Sequence, residues 1–284
     1  GGGGGGDGGV TLSIMRSGSA MDMGAAEWSS QRAALQLAPA AWVWDTLGMV
    51  LLSCLGVYLE FQDPFARYLV PELIPRYSYP FHGNSVPTWG LPVLGIFIPL
   101  AVIWLVSRFS IHENGRMEAR RAAAGLCLSV ALAFAVTNAV KNGVGAFRPD
   151  FAARCWPDAA KIEWLSPGVP ACSPLKLRDV MEGRKSFPSG HTSMAFSGLG
   201  YLSLYMTARL RVFAAHSDPS DACMWRMAVA WAPTALAVAV GISRLQDYWH
   251  HWEDVVVGGG IGVATAVIAF AQKRPMRGGG GGGG

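Results

Sequence analysis

Six apolar segments alternate with polar and charged stretches along the chain. They run from about Ala40 to Leu59, Trp89 to Val106, Ala119 to Val140, Thr192 to Ala208, Met227 to Ile242 and Val255 to Ala271. A helix needs about 20 residues to cross a bilayer, whereas a helix buried in a soluble protein keeps a polar face at helical spacing. The third and sixth segments show almost no such polar face. The pattern therefore predicts an all-α fold, a bundle of six transmembrane helices.

The two ends of the chain differ from this bundle in composition. Residues 1–38 open with a nearly pure glycine run and continue rich in serine and alanine, and residues 275–284 end in glycine. Such low-complexity stretches are typical of flexible segments. We therefore expect one membrane domain over residues 39–274, between a flexible N-terminal segment and a flexible tail.

The overall composition supports a membrane protein. The chain is 51% hydrophobic and 15% charged, whereas about a quarter of the residues are charged in a typical soluble domain. The net charge of +4 is modest. No cluster of lysine and arginine alternates with aromatic residues, which argues against a nucleic-acid partner.

Basic residues in the short loops predict the orientation, because such loops are enriched in lysine and arginine on the cytoplasmic side. The residues concerned are Arg108, Arg116, Arg120, Arg121, Arg209, Arg211, Arg226, Lys273, Arg274 and Arg277. All of them fall on the side of the N-terminus, so both termini are predicted to be cytoplasmic. The loop of residues 141–190 is basic on the opposite side, which suggests that its charges serve a site.

The first candidate constellation runs from Lys141 to Pro149, where the third apolar segment ends. A lysine at such a position often only extends its amine to the lipid headgroups. Here Gly143 and Gly145 separate Lys141 from Arg148. These glycines would let the chain fold both cations back toward one point.

The second constellation is Pro188-Ser189-Gly190-His191, just before the fourth segment. A proline, a small hydroxyl residue and a glycine before an apolar run indicate a helix N-terminus. Unpaired N–H groups and the helix dipole favour an anion there, most often phosphate. His191 stands beside that place and can donate a proton. An ordinary helix cap by Ser189 is the alternative interpretation.

The third constellation extends from Ser243 to Asp254 and includes Arg244. On a helix, His250 and Asp254 share a face because they are four residues apart. A carboxylate on one imidazole nitrogen leaves the other nitrogen free to act as base or nucleophile. His251 lies three residues from Asp254, so spacing alone leaves it open. A metal site of both histidines and Asp254 is disfavoured, because neighbours on a helix diverge by about 100°.

The three constellations lie at the ends of different segments on one predicted face of the membrane. Ionisable groups at such depths are functional by default. Three cations (Lys141, Arg148 and Arg244), a helix N-terminus and two histidines together describe a phosphate pocket.

These residues resemble the motifs of the type 2 phosphatidic acid phosphatase, or lipid phosphate phosphatase, family: K-x6-R-P, P-S-G-H and S-R-x5-H-x3-D. The chain matches them in order at Lys141 to Arg148-Pro149, at Pro188 to His191, and at Ser243-Arg244 to His250 and Asp254. The likeness covers about Ala40 to Ala271. Residues 147–151 and 247–252 are similar to the plant-type phosphatidic acid and diacylglycerol pyrophosphate phosphatases.

The resemblance implies a role for each matched residue. His250, rather than His251, is the nucleophile that forms a phosphohistidine, and Asp254 orients it. His191 protonates the departing oxygen. The remaining matched residues hold the phosphoryl oxygens; they are Lys141, Arg148, Ser189, Gly190 and Arg244. No metal or other cofactor is implied, so activity should be independent of magnesium.

The expected function is that of an integral-membrane lipid phosphatase with its active site at the non-cytoplasmic ends of helices 3 to 6. Its expected partner is a phospholipid in the bilayer, phosphatidic acid, with diacylglycerol pyrophosphate and lysophosphatidic acid as further substrates. A polyprenyl diphosphate or sphingoid phosphate is the alternative substrate. A non-catalytic protein that binds lipid phosphate is the alternative of another class. Cys155 and Cys172 share one polar loop, either as a disulfide or as two thiols.

Overall fold

The computed structural model describes residues 42–109, 115–157, 162–173, 177–213 and 223–273. The chain divides into two compact units, residues 1–50 and 51–284. Of the first unit, the described part is the opening of the first long helix. The segments predicted to be flexible, 1–38 and 275–284, lie outside the described residues, and that prediction stays untested.

Helices make up most of the described chain. Six are long: α1 (Trp42–Glu60), α2 (Gly90–Arg108), α3 (Gly115–Val144), α6 (Gly190–Arg209), α7 (Cys223–Gln246) and α8 (Trp252–Lys273). Two are short: α4 (Phe151–Cys155) and α5 (Leu177–Gly183). Each predicted apolar segment lies almost wholly within one long helix. A 3-10 helix covers Pro71–Tyr77, and α2 contains a π-helical turn at Val93–Phe97.

Five of the long helices in the described chain are long and apolar enough to cross a membrane, namely α1, α2, α3, α7 and α8. The predicted fourth span, α6, has 20 residues but is not among them. Its sequence contains several serines and threonines that face neighbouring helices; Thr192, Ser193, Ser197 and Ser203 are all buried. A helix enclosed by protein does not need the apolar surface that lipid requires, which explains the difference from the predicted six spans.

The central position of α6 depends on small residues in the helix beside it. On α8, Gly258 lies against the backbone of Ser189, and Gly262 lies against the backbone of Ser193. Small residues let two helix backbones approach closely, as is common in membrane bundles. This contact brings the N-terminal ends of α6 and α8 together.

Two apolar clusters support the bundle and the loops at one end of it. The first joins α2, α3, α6 and α8 and is centred on the buried residues Ile103, Leu126 and Tyr201. The second lies beneath the loops that follow α1 and α3 and includes Leu69, Phe147, Phe151, Trp156 and Val180. It fixes the loop from Phe147 onward against the end of the bundle.

The loop between α3 and α6 contains structure that the all-α prediction missed. An antiparallel hairpin pairs β1 (Glu163–Ser166) with β2 (Val169–Ala171). Its turn contains Pro167 and Gly168, a dipeptide typical of type II turns, and Gly168 has a φ of +73°. Cys155 and Cys172 form a disulfide that ties this hairpin to the end of α4.

The close contact between α6 and α8 gives a matched pair of alanine substitutions. A Cβ at position 262 would lie 2.5 Å from the Ser193 carbonyl oxygen, whereas a Cβ at position 260 would meet nothing within 4 Å. We expect Gly262→Ala to destabilise the fold by about 1–3 kcal/mol, the usual cost of overpacking. Gly260→Ala should leave stability unchanged. The apparent Tm in detergent measures both, and equal Tm values would contradict this account of the packing.

Candidate active site

Lys141 lies at the C-terminal end of α3, and its side chain turns inward. It is buried, and its Nζ donates to the Lys185 carbonyl oxygen at 2.7 Å. Gly145 follows the helix with a φ of +59° and donates its N–H to the Lys141 carbonyl oxygen at 3.0 Å. This is a glycine cap at a helix C-terminus, and it turns the chain back, as the glycine spacing predicted.

Arg148 is reached by that turn and is buried with unused hydrogen-bonding capacity. Its Nη2 donates to Glu182 Oε2 at 2.9 Å, and its guanidinium lies 4.7 Å from the centre of the Trp249 ring. Its Nε and Nη1 have no hydrogen-bond partner among the described residues. Buried N–H groups are nearly always satisfied, so this arginine has two donors available for an anion.

Glu182, on α5, offsets part of this positive charge. Burial alone would raise its pKa, but the positive charges of Arg148 and Lys141 outweigh burial and hold the pKa below its ordinary value. The carboxylate therefore stays ionised beside Arg148. The sequence analysis missed this residue, and its position beside a buried arginine is evident only from the fold.

The N-terminus of α6 is capped by Ser189, which has an extended backbone. Its Oγ accepts hydrogen bonds from the Thr192 backbone N–H at 3.4 Å and from the Thr192 hydroxyl at 2.9 Å. The cap interpretation is therefore borne out by the geometry, while the hydroxyl hydrogen of Ser189 is left to donate elsewhere. A Cβ on Gly190 would lie 3.5 Å from Lys141 Cε, so Lys141 passes close to this helix end.

His191 is buried at the same helix end and already contacts an oxygen atom. Its Nε2 lies 3.0 Å from the Val86 carbonyl oxygen. Because a carbonyl oxygen only accepts, Nε2 carries the hydrogen in this arrangement. The imidazole is thus placed to give a proton to an oxygen at the position of the Val86 carbonyl.

His250 and His251 both approach Asp254, although α8 begins only at Trp252. The Nδ1 atoms of the two histidines lie 3.5 Å and 3.6 Å from Asp254 Oδ2, so distance does not separate them. Burial distinguishes the two histidines, because the side chain is 2% exposed in His250 and 16% exposed in His251. The helix that the spacing argument assumes thus begins after His250, yet His250 still approaches Asp254.

The charge state of His250 follows from its surroundings. Burial lowers its pKa to about 3, and the positive charges of Lys141 and Arg148 act in the same direction against the opposing effect of Asp254. The imidazole is therefore neutral at physiological pH. A neutral imidazole has a free nitrogen lone pair, which a nucleophile requires.

Asp254 is held in place by the segment that precedes α6 and by the turn that precedes α8. Its Oδ2 accepts from Ser186 Oγ at 2.5 Å and from the His251 backbone N–H at 2.9 Å. Its backbone carbonyl accepts from the Ser189 N–H at 2.9 Å. Ser186 is a second residue that the sequence analysis missed, although it directly precedes Phe187 and the P-S-G-H motif.

Arg244 lies at the end of α7 and is fully buried. Its Nη2 donates to Asp247 Oδ2 at 2.8 Å, and its Nη1 donates to Asn84 Oδ1. Asp247 in turn accepts from the backbone N–H of Ser85 at 2.9 Å and from its hydroxyl at 2.6 Å. The sequence analysis missed these partners. Asp247 follows from its three-residue spacing to Arg244, but no motif indicates Asn84 or Ser85.

The segment of residues 78–89, here named the covering loop, closes this end of the bundle. Besides its contacts to Arg244, Asp247 and His191, its His82 carbonyl accepts from Trp249 Nε1 at 3.0 Å. Tyr79 stacks on Tyr248 with ring centres 4.8 Å apart. The functional side chains beneath it are consequently buried.

The predicted site residues come together at one end of the bundle. This end is formed by the C-terminal ends of α3 and α7 and the N-terminal ends of α6 and α8. The residues are Lys141, Arg148, Ser189, Gly190, His191, Arg244, His250 and Asp254. Within the described ranges, no group of three His, Cys, Asp or Glu residues is arranged to hold a metal ion. The chemical roles inferred from the resemblance stay predictions.

Comparison with known proteins points to one family. The model of the PAP2 superfamily matches residues 122–276. Lipid phosphate phosphatase 2 of Arabidopsis thaliana is 37% identical over 232 residues, 81% of this chain and 77% of that protein. Diacylglycerol pyrophosphate phosphatase 1 of Saccharomyces cerevisiae is 34% identical over 226 residues, 78% of this chain and 76% of that protein. No solved structure gives a significant match.

Lipid phosphate phosphatase 1 of Arabidopsis thaliana is also similar, with 34% identity over 231 residues, 81% of this chain and 68% of that protein. The matched superfamily region contains α6 and α8 entirely and excludes the covering loop. With the motifs gathered at the site, these matches show that the chain is an enzyme of the PAP2 superfamily and belongs with its plant-type lipid phosphate phosphatases.

Proposed function

We propose that the chain hydrolyses phosphatidic acid to diacylglycerol and phosphate, and that diacylglycerol pyrophosphate and lysophosphatidic acid are further substrates. The observation that carries this proposal is that one site contains both a neutral, buried His250 and Arg148, whose Nε and Nη1 have no hydrogen-bond partner among the described residues. A phosphate monoester supplies oxygens for those donors and phosphorus for the imidazole. The names of the plant and yeast relatives support a phosphorylated lipid as the substrate.

The proposed first step is attack of His250 Nε2 on phosphorus. A nitrogen–phosphorus bond forms while the bond from phosphorus to the glycerol oxygen breaks. In this step His191 acts as an imidazolium, which donates its Nε2 hydrogen to the departing oxygen and is left as the neutral imidazole. Its Nε2 already lies against the Val86 carbonyl oxygen. Asp254 stabilises the positive charge that develops on His250. Water then attacks the phosphohistidine, with His191 as base, and releases phosphate.

The developing negative charge on the phosphoryl oxygens is proposed to be stabilised by cations and helix-end donors. Lys141, Arg148 and Arg244 supply the charge, and the Ser189 hydroxyl and Gly190 N–H supply further hydrogen bonds. Arginine suits this task because its planar fork binds two oxygens at once. In this scheme the protein cations provide what a metal ion provides in other phosphatases, so we propose magnesium-independent activity.

We also propose that α6 crosses the membrane, as the fourth of six spans. Its 20 residues give a length of about 30 Å, which matches the hydrocarbon core. The catalytic end would face the non-cytoplasmic side and both termini the cytoplasm. The disulfide between Cys155 and Cys172, at the catalytic end, supports this orientation because disulfides form in oxidising compartments.

The other interpretations keep part of this chemistry. A polyprenyl diphosphate or sphingoid phosphate offers the same phosphoryl group with a different apolar portion. The diacylglycerol pyrophosphate phosphatase among the relatives makes a lipid diphosphate the natural second substrate to test. A non-catalytic binding protein would need no nucleophile, so the buried His250 and Asp254 pair argues against that interpretation.

The two histidines beside Asp254 provide a matched test of the nucleophile. We expect His250→Ala to abolish phosphate release from phosphatidic acid in detergent micelles and to prevent formation of an acid-labile phosphoenzyme. His251→Ala should keep most of the activity, because that side chain is outside the proposed reaction. Both assays should work in EDTA. Turnover by His250→Ala would refute the mechanism, and loss of wild-type turnover in EDTA would refute magnesium independence.

The neutral state of His250 predicts how stability depends on pH. Its ordinary pKa is 6.5 and its folded pKa is about 3. Between these values the unfolded chain binds a proton that the native protein does not, so acid favours unfolding by about 1.4 kcal/mol per pH unit. The apparent Tm of wild type should therefore fall more steeply from pH 6.5 to pH 5 than that of His250→Gln. Parallel Tm curves would contradict the buried neutral imidazole.

Asp247 is proposed to position Arg244. The substitution Asp247→Asn keeps the shape but removes the charge from the hydrogen bond to the guanidinium. Such a bond contributes about 1.5–3 kcal/mol, so we expect kcat to fall about 10-fold or more. Asp63→Asn, in an exposed residue of the loop between α1 and α2, is the control and should retain full activity. Equal activity of the two variants would exclude a positioning role for Asp247.

A further inference from the structure

A cleft lies between α3, α6 and α8, at the ends of these helices that are far from the catalytic residues. Its volume is about 450 Å³, and the residues important here are Arg121, Tyr201, Tyr205, Arg209, Phe270 and Lys273. This volume falls within the range of sites that bind small molecules, about 300–1,000 Å³. The proposed phosphatase reaction does not use this cleft.

The cleft is separated from the catalytic end by the length of a bilayer. The separation is measured along each of the three helices, from one residue at the cleft to one residue at the catalytic end. The pairs are Arg121 and Lys141 on α3, Arg209 and His191 on α6, and Lys273 and Asp254 on α8. At a rise of about 1.5 Å per residue, each pair is about 27–30 Å apart. A hydrocarbon core is about 30 Å thick, so a lipid in the cleft belongs to the opposite leaflet.

The floor of the cleft includes three aromatic side chains, of which Phe270 is partly exposed and Tyr201 and Tyr205 are buried beneath it. The rings of Tyr201 and Phe270 meet edge to face with centres 5.9 Å apart. The Tyr205 hydroxyl lies 3.1 Å from Ser107 Oγ, which fixes the side of the floor nearest α2. Such a floor suits the apolar part of an amphiphile rather than a small inorganic ion.

The rim of the cleft is positively charged. Of the described residues that line the cleft, Arg121, Arg209 and Lys273 are cations and Glu118 is a carboxylate. Glu118 and Arg209 form an ion pair at 2.7 Å that links α3 to α6. Among the described residues, the rim therefore carries more positive than negative charge. Basic groups at a membrane surface attract anionic headgroups.

We propose that this cleft binds one anionic phospholipid from the leaflet opposite the catalytic end. Its phosphate contacts the basic rim, and the first part of its acyl chains packs on the aromatic floor. This site does not depend on the proposed substrate or mechanism. A free phosphate ion lacks the apolar part that the floor accommodates, and a neutral lipid lacks the charge that the rim attracts.

Two neighbouring arginines give a matched test of the site. Arg120 and Arg121 are both exposed, but of these two only Arg121 lines the cleft. The probe is phosphatidylglycerol labelled on its acyl chain, a phosphodiester rather than a monoester, and anisotropy is measured with the full chain in neutral detergent. We expect saturable binding of one lipid. Arg121→Gln should weaken Kd about fivefold, as for loss of a partly exposed charge contact, and Arg120→Gln should leave Kd unchanged.

Two further variants make the test independent of one substitution. Lys273→Gln, in the last residue of α8, should weaken Kd like Arg121→Gln, whereas Glu118→Gln should tighten binding by removing a carboxylate from the rim. Far-UV circular dichroism and a monodisperse elution profile verify the fold. Equal effects of Arg120→Gln and Arg121→Gln, equal binding of phosphatidylcholine, or binding without saturation would each overturn the proposal. Failure here leaves the histidine mechanism untouched, because phosphate release is measured separately.

Discussion

Burial of positive charge at the end of a membrane bundle is the constraint on which the catalytic end depends. Lys141, Arg148 and Arg244 are all at most 8% exposed. Removing charged groups from water costs several kcal/mol each unless partners offset the loss. Glu182 and Asp247 provide such partners for the two arginines. Neither carboxylate belongs to the family motifs, yet both make it feasible to keep guanidinium groups in a buried pocket.

Glu182 leaves part of Arg148 available, whereas all three nitrogens of Arg244 already donate hydrogen bonds. Glu182 engages only Nη2 of Arg148, and Asp247 engages only Nη2 of Arg244. Nε and Nη1 of Arg148 are without partners among the described residues, while Arg244 uses its Nη1 on the amide oxygen of Asn84 and its Nε on the Ser243 hydroxyl. Partial pairing therefore stabilises the charge of Arg148 without saturating the donors that an incoming phosphate needs.

The helices and the motif residues were predictable because their signals are local. Apolar length predicts each helix, and fixed spacing predicts that His250 and Asp254 meet. The predicted fourth span, α6, shows where apolar length gives a weaker signal, since α6 is enclosed by protein and needs no lipid-facing surface. The hairpin of β1 and β2 was missed because strands of three or four residues are too short for a periodic pattern, although Pro167 and Gly168 mark its turn.

The supporting contacts were not predictable because they join segments far apart in sequence. Ser186 meets Asp254, and Ser85 meets Asp247, only after the bundle has assembled. Asn84 and Ser85 also lie outside the region matched by the superfamily model. A pattern of spacings describes residues within one motif. It does not describe a loop that completes the site from another part of the chain.

The covering loop explains how a closed site and a lipid substrate are compatible. The loop occupies Arg244 and His191 with neutral oxygens, the Asn84 amide and the Val86 carbonyl. Hydrogen bonds to charged oxygens are roughly twice as strong as those to neutral ones. In the proposed reaction, a phosphate monoester therefore offers the same donors better acceptors than the loop does. Displacement of these two contacts replaces weak bonds with strong ones, so the proposed substrate itself favours opening of the site that binds it.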